Sequence, residues 1–102
     1  MPPQIHLIEH KGFIKKVEGR VHDSMFWDVP MQTAERLIGG SIYFHKKQKE
    51  PSFFGGRIIG YRIHDEADEN SGRIVFRFEA DPTYRGVLAG VGGWSYEKKI
   101  VW

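Results

Sequence analysis

Twelve glycines cut this chain into short segments and set most of what it can fold into. Between them apolar residues recur at every second position, the spacing of a half-buried strand. Residues 4–10 alternate weakly through Ile5, Leu7 and Glu9, and residues 12–22 carry Phe13, Ile14, Val17 and Val21 amid basic side chains. Ser41-Ile42-Tyr43-Phe44-His45 puts Ile42 and Phe44 on one face, Tyr43 and His45 on the other. Residues 57–64 repeat the pattern with Ile59, Tyr61 and Ile63. Residues 73–79 do so with Ile74, Phe76 and Phe78, and a last strand ends at Trp102.

One stretch has helical spacing. Met31, Ala34, Leu37 and Ile38 recur on one face, and Gly39-Gly40 supplies the stop. Asp28 stands where an N-cap would, two residues before Pro30, which the first helical turn tolerates. The segment before it, Asp23-Ser24-Met25-Phe26-Trp27-Asp28-Val29-Pro30, is too irregular for a strand and reads as an unusually aromatic loop. The expected fold is mainly β (α+β): five to six strands and one short helix in a small, partly open barrel, forming one domain over residues 1–102.

Size and charge remove whole classes of function. A chain of 102 residues buries roughly 60–65% of its unfolded surface, enough for one core and no second lobe. It has no cysteine, so disulfides and thiolate metal sites are excluded. The net charge is only +2, so binding to a polyanion must come from a local patch. The first ten residues carry two prolines and no long apolar run, so no signal peptide is expected. No apolar run reaches membrane-spanning length either, and the expected location is cytoplasmic.

Two groups of residues point to binding. Aromatics make up 14% of the chain, and Phe26-Trp27 lies beside Ser24 and Asp28 in the irregular segment. Those two aromatics, with Met25, suit the plug of a barrel end. Trp27 with Asp28 or Ser24 equally suits a pocket for a flat ligand, where stacking contributes roughly 1–3 kcal/mol per base. The second group is Lys46, Lys47, Lys49, Arg57 and Arg62, offset only by Glu50. Such a patch is either a solvated surface or a track for phosphates. The five histidines, His6, His10, His22, His45 and His64, lack metal spacing. The acidic turn at residues 64–72 lacks the order of a calcium loop, so no metal or other cofactor is expected. The run Gly86-Val87-Leu88-Ala89-Gly90-Val91-Gly92-Gly93 mimics a phosphate loop but has no Lys-Ser/Thr after it.

The order of these features resembles a known superfamily. A strand, a polar-aromatic loop and a short helix lead into Leu37-Ile38-Gly39-Gly40-Ser41-Ile42-Tyr43-Phe44-His45, a basic loop, and Gly55-Gly56-Arg57-Ile58-Ile59-Gly60-Tyr61. This is similar to PUA-like proteins, above all EVE and ASCH domains, over residues 14–78. Gly40-Ser41 stands where those families usually carry an acidic residue. The resemblance implies a pseudo-barrel with a pocket for a nucleobase, often a modified one, or for RNA. It would place Ser24, Trp27 and Asp28 at the pocket loop, Tyr43 and His45 at its strand wall, and Lys46 and Arg57 near its mouth.

The resulting expectation is a non-catalytic module that binds nucleic acid or a nucleotide. Trp27 stacks on the base, Asp28 or Ser24 reads its edge, and Lys46, Lys47, Lys49, Arg57 and Arg62 hold phosphate. Two other classes compete with it. One is a small nuclease or amidohydrolase using His45 with Glu79 and Arg57. The other is an interaction module built on Trp94, Tyr96 and Trp102, which suit either an interface or the barrel core.

Overall fold

The period-two pattern becomes seven strands in the computed structural model, which describes residues 2–9, 12–90 and 92–102. They are β1 (Gln4–Ile8), β2 (Ile14–Glu18), β3 (Val21–Trp27), β4 (Ser41–His45), β5 (Phe54–Ile63), β6 (Ile74–Ala80) and β7 (Lys98–Val101). Helix α1 (Met31–Leu37) joins β3 to β4, and a 3₁₀ turn covers Pro82–Tyr84. Of the earlier readings, His10 in the first segment and Val91 in the glycine-rich run lie outside the described residues.

All seven strands share one mixed sheet in the order β2-β3-β6-β5-β4-β1-β7. Neighbours run antiparallel except β1 and β4, whose parallel register sets Ile5 against Ile42 and Leu7 against Phe44. Those four side chains are fully buried, together with Ile58, Phe76 and Phe78. Helix α1 covers this face with Ala34 and Leu37. Seven residues are too few for a helix to persist alone. Burying Leu37 contributes about 1.5–3 kcal/mol towards holding it there. The helix ends as expected at the glycine pair, where Gly39 takes φ +86° and its N–H donates to Ile58 O at 2.8 Å. A Cβ at Gly56 would overlap the Glu79 carbonyl oxygen, so glycine is what lets β5 and β6 approach there.

Three expectations need correction. Residues 12–22 are not one strand: Gly19, at φ +57°, folds them into the β2–β3 hairpin. Most of the irregular segment, residues 23–27, is not a loop. It is the second half of β3, paired with β6 from Val21–Glu79 to Trp27–Ile74. A register shift between Ser24 and Trp27 absorbs Met25 and Phe26, and this bulge hid the strand's alternation. Asp28 does not cap the helix, because Pro30 occupies the cap position and no side chain bonds there.

Seven strands therefore replace the expected five to six. Their ladder is open, with β2 at one margin and β7 at the other. The sheet nevertheless curls: Lys98 Nζ, at the start of β7, donates to Asp28 O just beyond β3 at 2.5 Å. The curl leaves a seam between the end of β3 and the start of β7. No helix among the described residues is long and apolar enough to cross a membrane.

Candidate functional site

The residues expected to share one pocket fall on two faces of the sheet. Ser24 lies opposite Phe76 on the core face and is fully buried. Its Oγ accepts a hydrogen bond from Trp27 Nε1 at 2.8 Å, which locks the indole against the core with 8% of its surface exposed. Trp27 thus offers little of its surface to a ligand. Tyr43 and His45 alternate with the buried Ile42 and Phe44, so they point to the opposite face. A pocket walled by Trp27 on one side and His45 on the other is not formed.

Trp27 and Asp28 do line a cleft, at the seam. Phe26, Arg73, Tyr96, Glu97 and Lys98 complete most of its wall, and it encloses about 500 Å³. That volume lies within the roughly 300–1,000 Å³ of small-ligand sites. Tyr96 stands out. Its side chain is 93% exposed, and its φ of 55° is in the left-handed region that a bulky residue rarely adopts. A tight turn fixes it, with Ser95 N donating to Lys98 O at 2.8 Å and Lys98 N to Ser95 O at 3.1 Å. Gln48 Nε2 holds the Tyr96 carbonyl at 3.0 Å. The cleft therefore joins aromatic surface with two carboxylates, Asp28 and Glu97, and two cations, Arg73 and Lys98. The sequence reading missed Arg73, which the long-range pairing of β3 with β6 sets beside Trp27, and it missed Tyr96 and Lys98 because only the curl of the sheet brings β7 to β3.

On the opposite face a buried histidine pair takes the place of the expected strand wall. His6 and His45 are both essentially inaccessible, and His6 Nδ1 lies 2.9 Å from His45 Nε2. The carbonyl of Glu50 sets the direction of this chain. It accepts from His45 Nδ1 at 2.9 Å, so His45 Nε2 carries the lone pair that accepts from His6 Nδ1. Gln4 Oε1 lies 3.1 Å from His6 Nε2, and with this direction of the chain the remaining lone pair calls for the amide's NH₂ in that position. His6 also stacks on Tyr43 at 4.7 Å and 10°, and Trp94 meets both imidazoles edge-on. Burial first, then His45 and Lys99, lower the His6 pKa from 6.5 to about 4.

This arrangement bears on the catalytic alternative. Both ring nitrogens of His45 are occupied. Glu79 pairs in register with Arg57 two strands away from β4, and the three residues are not brought together.

The basic patch is divided as well. Arg62 is bound to the buried Asp23 at 2.8 Å, and Arg77 grips the same carboxylate at 2.8 and 3.1 Å. The Arg77 hydrogen bond is the largest influence holding the Asp23 pKa below the usual carboxylate value, with that from Arg62 adding to it. Lys47 sits 4.0 Å from Glu50, and Lys46 stands 6.0 Å over the Phe53 ring. Arg57 is exposed opposite Ser41 and Glu79. Lys49 borders a separate hollow with Leu88 and Trp94.

In the acidic turn His64 Nε2 meets Asp68 at 2.9 Å, and Asp68 also accepts from Asn70 N at 2.8 Å. His64, Glu66 and Asp68 bring one ligand atom each within 4.8 Å of one another, a set with the chemistry to hold a divalent cation. Trp102, one of the aromatics considered for an interface, is half exposed with the Arg36 guanidinium 4.0 Å over its ring.

No family model, curated protein or solved structure matches this chain. Fold and site together define, among the described residues, a small, mainly β fold with one mixed sheet, one α-helix and an aromatic cleft bearing charges of both signs at its seam.

Proposed function

We propose that this chain is a small binding module of the PUA-like kind that recognises a nucleobase, carried by a nucleotide or by nucleic acid, in the seam cleft. The observation that carries the reading is Tyr96, held outward in a left-handed turn beside Trp27 and Asp28. A flat ring laid on Tyr96 gains stacking energy without a specific partner. Asp28 and Glu97 then accept from the amino groups of a base edge, and Arg73 and Lys98 neutralise phosphate. The curl that brings β7 to β3 supports the pseudo-barrel, and the order of helix, glycine pair and strand supports the superfamily. Lys46, Lys47, Lys49 and Arg57 extend the basic surface in this reading, whereas Arg62 serves Asp23. A cytoplasmic location belongs to the same proposal and rests on the cysteine-free composition.

Titration with mononucleotides and short single-stranded oligonucleotides at low and moderate salt tests the proposal. Tyr96→Ala is the informative variant, because an exposed side chain can be removed without loss of core. It is expected to weaken binding by about five- to a hundredfold, the stacking contribution being roughly 1–3 kcal/mol. Binding that ignores both Tyr96→Ala and salt, or no binding at all, refutes the reading.

A further inference from the structure

A second cleft lies at the opposite end of β3 from the seam, about 20 Å away along the strand. It encloses about 240 Å³ between the β2–β3 turn and the segment after β6. Its lining includes Arg20, His22, Phe54, Asp81 and Arg85. From these residues we infer that it is an oxyanion site for a phosphate group. The assignment goes beyond the nucleobase reading and does not depend on it.

Arg20 is pinned by its backbone: its carbonyl accepts from Ala80 N at 2.8 Å and from His22 Nδ1 at 2.9 Å. Its guanidinium, like that of Arg85, takes part in no ion pair among the described residues. Arg85 stands 6.0 Å over the Phe54 ring, which fixes its direction without consuming its N–H donors. Asp81 is the acid in the lining, and its charge acts on Arg20. Its Oδ1, however, accepts from both the N–H and the hydroxyl of Thr83, at 2.9 and 2.8 Å. Two planar guanidinium forks therefore border a small hollow with one carboxylate, one oxygen of which is held by its own loop.

His22 supplies the third group. Its ring is wedged between aromatics, stacked on Phe78 at 5.6 Å and edge-on to Phe54 at 5.2 Å. With Nδ1–H donating to Arg20 O, the neutral ring leaves a lone pair on Nε2. A phosphate oxygen repels that lone pair and is attracted to an Nε2–H, so an anion in the cleft favours the imidazolium. Phosphate is the chemistry that fits, because its several oxygens accept from two forks and an imidazolium at once.

Observing the His22 ring nitrogens by NMR during titration with inorganic phosphate tests the inference, with chloride at matched ionic strength as the control. Phosphate is expected to move both ring signals towards imidazolium values and to shift the amides of residues 19–22 and 81–86. Arg20→Gln and Arg85→Gln, both at exposed positions, should each weaken that response about tenfold. A parallel titration with a short oligothymidylate separates the sources. Tighter binding than phosphate, lost in the same variants, assigns the site to a nucleic-acid backbone. Binding of inorganic phosphate alone assigns it to a free or terminal phosphate. No response at His22, or a response unchanged in the Arg20→Gln/Arg85→Gln double variant, overturns the assignment. Loss of nucleotide binding in Tyr96→Ala with this response intact would concern only the seam cleft.

Discussion

Mild acidification should weaken this fold before most of its carboxylates are neutralised, because the buried His6 is held in its uncharged form. In the folded chain His6 binds a proton only near pH 4, against 6.5 for a free imidazole. Between those values the unfolded chain holds the extra proton, so stability is complete above about pH 6.5 and falls as pH drops towards 4. A gap of about 2.5 pH units corresponds to about 3 kcal/mol once the unfolded histidine is fully charged. At pH 5 about 2 kcal/mol of this is already lost, a large part of the 5–15 kcal/mol that a small domain has. Urea unfolding followed by tryptophan fluorescence at pH 7, 6 and 5, at constant ionic strength, measures the slope. His6→Asn is the control: its amide N–H replaces the donor to His45 but cannot titrate. The variant should start less stable, having lost the stack on Tyr43, and respond far less to pH over this range. A wild-type change below about 0.5 kcal/mol between pH 7 and 5, or an equal slope in His6→Asn, would refute the reasoning.

Trp27→Ala should destabilise the fold by about 3–5 kcal/mol, as expected for emptying a buried aromatic site, and thermal or urea unfolding will register it. Trp27→Phe should cost less but leave Ser24 Oγ without its donor, so Ser24→Ala should add little on top of it in a double-mutant cycle. Asp23→Asn should cost about 1–3 kcal/mol at neutral pH, because two guanidiniums lose a shared carboxylate. Since the Asp23 pKa is lowered in the fold, its contribution is present above the usual carboxylate range and lost below it. The wild-type and Asp23→Asn stabilities should therefore converge in strong acid, well below the histidine window.

Two of the alternating strands were legible in the sequence, but the face read for residues 57–64 was not: a register shift between Ile58 and Gly60 buries Ile58 and leaves Ile59 and Ile63 exposed. Residues 41–45 form β4 as read, and Ile74, Phe76 and Phe78 line the core as their period implied. The helix and its glycine stop were equally visible, since spacing and stop signals are local. Two kinds of feature were not. A bulge between Ser24 and Trp27 breaks the period of β3, so a strand looked like an aromatic loop. The parallel union of β1 with β4 is long-range, so nothing near His6 announces that its ring will meet His45. The candidate site divides the same way. Trp27 and Asp28 were identified because aromatic and acidic residues sit together in sequence. Arg73 joins them through the pairing of β3 with β6, Tyr96 and Lys98 only through the curl of the sheet, and Arg62 was drawn away by Asp23, an acid from another strand.

The position of β1 between β4 and β7 also dictates the order in which this chain can complete its sheet. Strands β5 and β6 pair across a short connection and can form early, whereas Gln4 must wait for Val101. As the chain emerges during synthesis, β1 can dock on β4 but keeps its other edge unpaired until residues 98–101 arrive. That edge belongs to a strand carrying Ile5 and Leu7, the kind of exposed template on which chains aggregate. Lesions in β7 should therefore appear less as lost binding than as insoluble protein.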